Sequence, residues 1–422
     1  MRQVFLTSIF LLFSFSLCMA QVTVSSNPPD TLPEMADDSI PSSVLPWPEN
    51  VQQVLDSLLY APLFETSQVA MMVYDLTADS TLYIRCPRYR MRPASTMKVL
   101  TAISVLDKLG ADYPITTRLY RDGEVTDSLR TLNGNLYLRG AMDPRLGNYD
   151  LRCLVDAVVA LGIDTLRGDI CGDDNMKDGR QWGEGWCWDD DNPTLNPLLL
   201  NGREGLMNSF VNALRDRGLV VIGNTHERRR VPSGATLLTS RQHTIGDMLE
   251  RCLKNSNNLY AEVLFYQLAA SRNAHRASAK DAIAEERALL NRLGIAGTAY
   301  RLADGSGLSL YNYLTPEILV TLLRYAFSRP HIFTPLYAAL PIAGVDGTLK
   351  GRMGGTAAGG NVRAKTGTLE GVSTLAGYCE AANGHMLCFA IMNSGLHRQD
   401  DGRRFQNRVC KALCQRYEII DK

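Results

Sequence analysis

"RPASTMKVLTA", residues 92–102, sets a serine and a lysine three positions apart at the head of an apolar run. Pro93 marks a helix start, and helical spacing of apolar residues continues through "TMKVLTAISVLDKLG" to a stop at Gly110. On a helix, Ser95 and Lys98 at i, i+3 share a face and lie within reach of each other. A serine hydroxyl is a weak nucleophile until a base takes its proton. Lysine can be that base only if burial or a second cation lowers its pKa. A helix N-terminus also supplies free N–H groups where an oxyanion would form. Alone, Ser-x-x-Lys is common by chance, and a serine at a helix start beside a surface lysine satisfies it equally well.

Two further stretches change the balance. "KNSNNLYAE" (254–262) holds Ser256 and Asn258 as Ser-x-Asn, at the break between two helical runs. "RAKTGTLEGV" (363–372) holds Lys365-Thr366-Gly367 at the opening of a strand-rich segment. Only a strand can present Lys365 and Thr366 along an active-site edge, and Gly367 lets a substrate backbone lie close. The order Ser-x-x-Lys, Ser-x-Asn, Lys-Thr-Gly resembles that of the penicillin-recognising serine acyltransferases.

The chain's 422 residues allow two or three domains, or one large domain with an insertion. Hydrophobic residues are 45% and charged residues 21%, the balance of an ordinary globular core. Lys plus Arg is 44 and Asp plus Glu is 44, so charge makes no case for nucleic acid or an anionic membrane as partner. "MRQVFLTSIFLLFSFSLCMAQ" reads as a secretory signal over residues 1–20, cut after Ala20, which predicts an exported, periplasmic protein. Its apolar run is too short for an integral span in the mature form. The rival is a lipid anchor on Cys18, for which Leu17 is a poor neighbour. Ten cysteines become nine after cleavage, an odd number without CxxC or Cys/His clustering. Cys410 and Cys414 read as packed thiols. The histidines form no HExxH, so no metal and no cofactor are expected.

Residues 21–48 are rich in Pro, Ser, Thr and Asp and read as a disordered tether. A short helix from Glu49 and a hairpin over 68–86 follow. From 111 to 234 the texture turns to short strands with Gly and Asp turns. Helical periodicity returns at "TIGDMLERCL", and strands return over 362–395. Strands at both ends of the chain with helices between predict one α+β domain, 49–110 plus 235–422, interrupted by a β-rich insertion at 111–234.

"LPIAGVDGTLKGR" (340–352), "ADGSGLS" (303–309), "SNNLYAE" (256–262) and "GWCWDD" (185–190) resemble the class C low-molecular-mass penicillin-binding proteins. The likeness runs from about residue 50 to 395. It implies a serine β-lactamase/DD-peptidase-like fold, an antiparallel sheet flanked by helices, with an extra domain between Ser-x-x-Lys and Ser-x-Asn. It implies D-alanyl-D-alanine carboxypeptidase or endopeptidase activity on peptidoglycan stem peptides, inhibited by β-lactams. Ser95 would be the acylated nucleophile and Lys98 its base. Ser256 would relay a proton, and Asn258 would bond the substrate amide. Lys365 and Thr366 would bind the terminal carboxylate, with Lys365 also depressing the pKa of Lys98. The N–H groups of Ser95 and Thr368 would form the oxyanion hole. Asp190 would receive the amino end of a diamino acid, whereas Asp304 and Asp346 read as turn formers. A β-lactamase is the alternative within the same chemistry, but "DNPTLN" (191–196) lacks the glutamate of the Glu-x-x-Leu-Asn loop. A catalytically dead wall-binding protein is the alternative outside it.

Overall fold

The computed structural model describes residues 45–416; the predicted signal at 1–20 and the tether up to residue 44 lie outside the described residues. One five-stranded antiparallel sheet joins the two ends of the chain. Its order is Arg363–Leu369, Val372–Glu380, Met386–Ser394, Gln68–Asp75, Ser80–Arg85. The central pairing sets Gln68 opposite Ser394 and Asp75 opposite Leu387. Side chains alternate across a strand, so each strand feeds two faces. Val69, Met71, Val73, Leu387, Phe389 and Ile391 pack on one face against the helices Glu49–Leu58 and Gln399–Cys414. Ala70, Tyr74, Cys388, Ala390 and Met392 pack on the other, under Met97–Lys108, Asn258–Arg272 and Pro316–Phe327. Burial on both faces explains why "MLCFAIM" is apolar without interruption rather than alternating.

The middle of the chain builds two more sheets. A five-stranded one has the order Thr225–His226, Ile170–Asp173, Leu136–Arg139, Pro114–Arg121, Thr236–Thr244. A four-stranded one has the order Glu124–Thr126, Thr131–Asn133, Thr165–Arg167, Val220–Ile222. Helices Asn148–Val159 and Leu206–Asp216 cover them through Leu154, Val158, Phe210 and Leu214. The strand Thr236–Thr244 pairs along Pro114–Arg121, from Thr236 opposite Arg121 to Thr244 opposite Pro114. The pairing of the middle block therefore continues past Gly234, where the composition changes. Thr244 then caps the helix Ile245–Leu253, accepting from the Asp247 N–H at 3.2 Å. The nine cysteines among the described residues are free, and Cys410 and Cys414 are buried thiols.

Candidate active site

Ser95 lies in a 3-10 turn, Ala94–Thr96, that runs directly into Met97–Lys108. Ala94 ahead of it is left-handed (φ 48), as is Ser256 (φ 56). Non-glycine residues held this way carry strain that the surroundings must impose. At Ala94 the neighbour is Gly307, where a Cβ would stand 1.8 Å from the Ala94 carbonyl oxygen.

Lys98 is fully buried. Its Nζ donates to Ser95 Oγ at 2.8 Å, to Asn258 Oδ1 at 2.8 Å and to the Ser306 carbonyl at 2.6 Å. Lys365, also fully buried, donates to Ser256 Oγ and to the Thr366 carbonyl, both at 2.8 Å. Thr366 Oγ1 donates to Thr348 Oγ1 at 2.8 Å. The structure thus brings Ser95, Lys98 and Asn258 into one hydrogen-bonded group, and Ser256 and Lys365 into a second.

Burial takes the Lys98 amine down to about 8, although Cys252, Asp304 and Glu262 pull the other way. Lys365 is pushed well below its ordinary value, by burial first and then by the charge of Lys98. The second cation, expected to act on Lys98, thus shows its effect on Lys365. Two buried ammonium groups repel, so the site favours losing a proton.

Gly367 also has close neighbours within the chain itself. A Cβ there would stand 2.1 Å from Thr374 Oγ1, 2.8 Å from the Pro93 oxygen and 3.0 Å from the Ser95 nitrogen. The missing side chain lets the Arg363–Leu369 strand lie against the nucleophile turn. Thr374 Oγ1 also donates to the Pro93 carbonyl at 2.7 Å. Thr368 is exposed on the same strand, opposite Ser373.

Behind Lys98 stand acids that motif reading passed over. Glu262 Oε1 accepts from the N–H groups of Gly305 (3.1 Å) and Ser306 (2.8 Å), fixing the residue whose carbonyl meets Lys98. Burial, then Asp304, pushes Glu262 up to about 8. Its sequence signal is an acid one turn after Asn258 in an otherwise apolar helix, "NLYAEVLFYQLAASR". Glu286 is buried and pushed well up by burial. Its Oε1 lies 3.1 Å from Thr101 Oγ1, which itself donates to the Gly305 carbonyl at 2.8 Å. One hydroxyl proton cannot serve both, so a protonated Glu286 completes the arrangement.

Asp304 forms turns, as its sequence suggests, and also holds the loop that carries Asp190. It accepts from the N–H groups of Gly307 (2.8 Å) and Ser309 (2.7 Å), from Asn312 Nδ2 (2.7 Å) and from Trp186 Nε1 (2.7 Å). Of the two tryptophans in "GWCWDD", only Trp186 pins the loop; Trp188 is 84% exposed. Asp190 is half-buried and its Oδ2 accepts from the Cys187 N–H at 3.0 Å, within its own loop. Among the described residues no hydrogen bond or ion pair joins Asp190 to Ser95, Lys98, Ser256 or Lys365. No group of His, Cys, Asp and Glu suited to a metal ion occurs among the described residues.

The chain is 29% identical to the D-alanyl-D-alanine carboxypeptidase of Actinomadura sp. (strain R39), over 82% of this chain and 81% of that one. Its fold matches the crystal structure of penicillin binding protein 4 (dacB) from Haemophilus influenzae with a TM-score of 0.77 and 23% identity, covering 85% of this chain and 98% of that one. The structure of the Haemophilus protein complexed with a β-lactam matches with a TM-score of 0.71 and 22% identity, over 86% and 99% of the two chains. Residues 51–198 and 199–415 match the D-Ala-D-Ala carboxypeptidase 3 (S13) family, which takes in both the Ser95 turn and the Lys365 strand, and the chain belongs to that family.

Proposed function

We propose that this serine DD-peptidase acylates Ser95 with the penultimate D-Ala carbonyl of a peptidoglycan stem peptide, at a D-Ala-D-Ala terminus or a D-Ala cross-link, and passes the acyl group to water. The observation that carries this reading is the hydrogen-bond set of Lys98. Carbonyl oxygens only accept, so Asn258 Oδ1 and the Ser306 oxygen claim two of the amine's hydrogens. In the neutral amine the lone pair then faces Ser95 Oγ, 2.8 Å away. That is the distance and direction a general base needs.

Lys98 takes the hydroxyl proton as Ser95 Oγ bonds to the carbonyl carbon. The N–H groups of Ser95 and Thr368 hold the oxyanion. Collapse breaks the C–N bond, and the proton taken up by Lys98 passes through the Ser256 hydroxyl to the leaving amine, which restores the neutral Lys98 and the Ser256 hydroxyl. Lys365 and Thr366 receive the terminal carboxylate, Gly367 gives the strand its close approach, and Asn258 bonds the substrate amide. Asp190 receives the free amino end of the peptide's diamino acid. Water then attacks the ester with Lys98 again as base. β-Lactams, whose ring carbonyl takes the same place, acylate Ser95 and leave slowly.

Two further readings accompany this one. Residues 111–234, extended by the strand Thr236–Thr244 that pairs along Pro114–Arg121, form an insertion in a catalytic domain made of 49–110 and the chain from Ile245 onward, supported by the sheet that strands from 68–85 and 363–394 share. Residues 1–20 direct the chain to the periplasm. No helix among the described residues is long and apolar enough to cross a membrane.

The test combines two measurements. A fluorescent penicillin should label the wild type and leave Ser95→Ala unlabelled. Mass spectrometry of monomeric and cross-linked wall peptides should show loss of D-Ala, opening of cross-links, or both. Labelling of Ser95→Ala would overturn the nucleophile, and unchanged peptides would favour a wall-binding protein without activity.

A further inference from the structure

A cavity of about 360 Å³ opens between the five-stranded sheet of the middle block and the helix Asn258–Arg272. None of the site residues described above lines it. Its wall carries Arg118 from the strand Pro114–Arg121, Arg139 from Leu136–Arg139, and Arg230 and His275 from loops. One carboxylate, Asp173, faces the same space and is already engaged. It is almost fully buried and accepts from Arg139 Nε at 3.0 Å, the Val231 N–H at 3.0 Å and Asn175 Nδ2 at 3.0 Å.

Among the described residues the other two guanidinium groups have no carboxylate in contact with them. Arg118, half-buried, makes one contact, Nη1 to the Thr116 carbonyl at 3.5 Å. Among the described residues Arg230, which is exposed, hydrogen-bonds only to the His275 ring, Nη2 to Nε2 at 3.1 Å. Among the described residues neither forms an ion pair, whereas Arg130, Arg139, Arg217, Arg228, Arg229 and Arg241 of this block do. Like charges gathered round a partly enclosed space repel unless an anion sits between them.

We propose that this cavity binds an oxyanion carrying two negative charges, a phosphate or a dicarboxylate, attached to a small organic body. Planar guanidinium groups match the paired oxygens of either anion. Tyr113, Pro114 and Met176 supply an apolar wall for the remainder of the ligand. The volume lies near the lower end for small-molecule sites, which suits a sugar phosphate or a short acidic fragment rather than a polymer. Gln267 lines the cavity from the helix whose first residue is Asn258, roughly 14 Å along at 1.5 Å per residue. A ligand here therefore rests on the element that carries the Lys98 partner, without touching Ser95.

The experiment is calorimetric titration of the purified protein at low ionic strength. The probes are inorganic phosphate, N-acetylglucosamine 1-phosphate, glutarate and, as neutral control, N-acetylglucosamine. At least one anionic probe should bind and the neutral sugar should not, and the tighter of the phosphate and dicarboxylate probes identifies the source. Arg118→Ala and Arg230→Ala should each weaken binding about tenfold or more, the loss expected for one charge-assisted hydrogen bond. Both variants should still be labelled by penicillin at the wild-type rate, which shows that they fold. Arg139 is left intact because its loss would strand Asp173. The proposal is overturned if no anion binds, if the neutral sugar binds equally, or if the two variants bind as the wild type does.

Discussion

Glu262 Oε1 accepts the Ser306 amide hydrogen at 2.8 Å, and the carbonyl of Ser306 accepts from Lys98 at 2.6 Å. A buried acid thus steers a lysine through a backbone segment it never leaves. With its proton on, Glu262 is close in shape and charge to glutamine. Glu262→Gln should fold and acylate within a few-fold of wild type at neutral pH. Glu262→Ala leaves two buried amides unpaired, at about 1–3 kcal/mol each, and should lose acylation along with stability. The pH dependence separates the two roles. The acid's folded pKa, about 8, stands above its ordinary 4.5, so its contribution to stability is full below 4.5 and is lost as pH rises through 8. Thermal melts should show Glu262→Gln gaining on wild type between pH 6 and pH 9. Parallel curves would remove Glu262 from the titration.

Lys98 must shed a proton before it can take one from Ser95. Its amine sits at about 8, so penicillin labelling should rise roughly tenfold per pH unit below that value and level off above it. Lys98→Arg should fold and remain unlabelled at every pH, because guanidinium does not deprotonate. Normal labelling of that variant would assign the base elsewhere.

Gly367→Ala tests how closely the strand must approach the nucleophile turn. The added methyl meets Thr374, Pro93 and Ser95 at once, and two of those atoms are backbone. The strand must withdraw, and a shift on the order of 1 Å costs about a hundredfold in rate. Acylation by both penicillin and peptide should fall by that order, with a modest loss in melting temperature. A variant that acylates normally would mean that the turn tolerates displacement.

Asp190→Asn should act on one class of substrate. A charge-assisted bond to a distant amine is worth about 1.5–3 kcal/mol, or roughly ten- to a hundredfold. Remote binding of this kind orients the scissile bond, so turnover should fall with affinity. Peptides with a free side-chain amine should be cleaved more slowly, while penicillins and substrates lacking the amine should react as before. Equal slowing of both would reduce Asp190 to the turn it makes with the Cys187 amide.

Much of this site could be read because its parts lie close in sequence. Ser95 with Lys98, Ser256 with Asn258, and Lys365 with Thr366 each occupy a single turn or strand, where spacing fixes the geometry. Ser306 could not be found that way, because it acts through a carbonyl that any residue possesses. Glu262 left a trace, an acid in an apolar helix, but its partner lies in a loop that no period connects to it. The strand Thr236–Thr244 escaped for another reason. Its residues are half-buried or exposed throughout, so it lacks the apolar rhythm that marks the central strands, and its pairing with Pro114–Arg121 comes from the backbone. The inner strands of the central sheet, Gln68–Asp75, Val372–Glu380 and Met386–Ser394, were legible because they are buried on both faces and mostly apolar.

Pairing Gln68 with Ser394 ties together two strands that lie far apart in the sequence. During synthesis the hairpin at 68–85 waits with one edge open until residues 386–394 have been made. Contacts so distant in sequence form slowly, and an emerging chain cannot close them early. No truncated product ending before residue 386 can own a nucleophile seated against its Lys365 strand and sheet, so interrupted translation yields fragments without activity. The same delay keeps the polypeptide extended and threadable until residues 386–394 have been made.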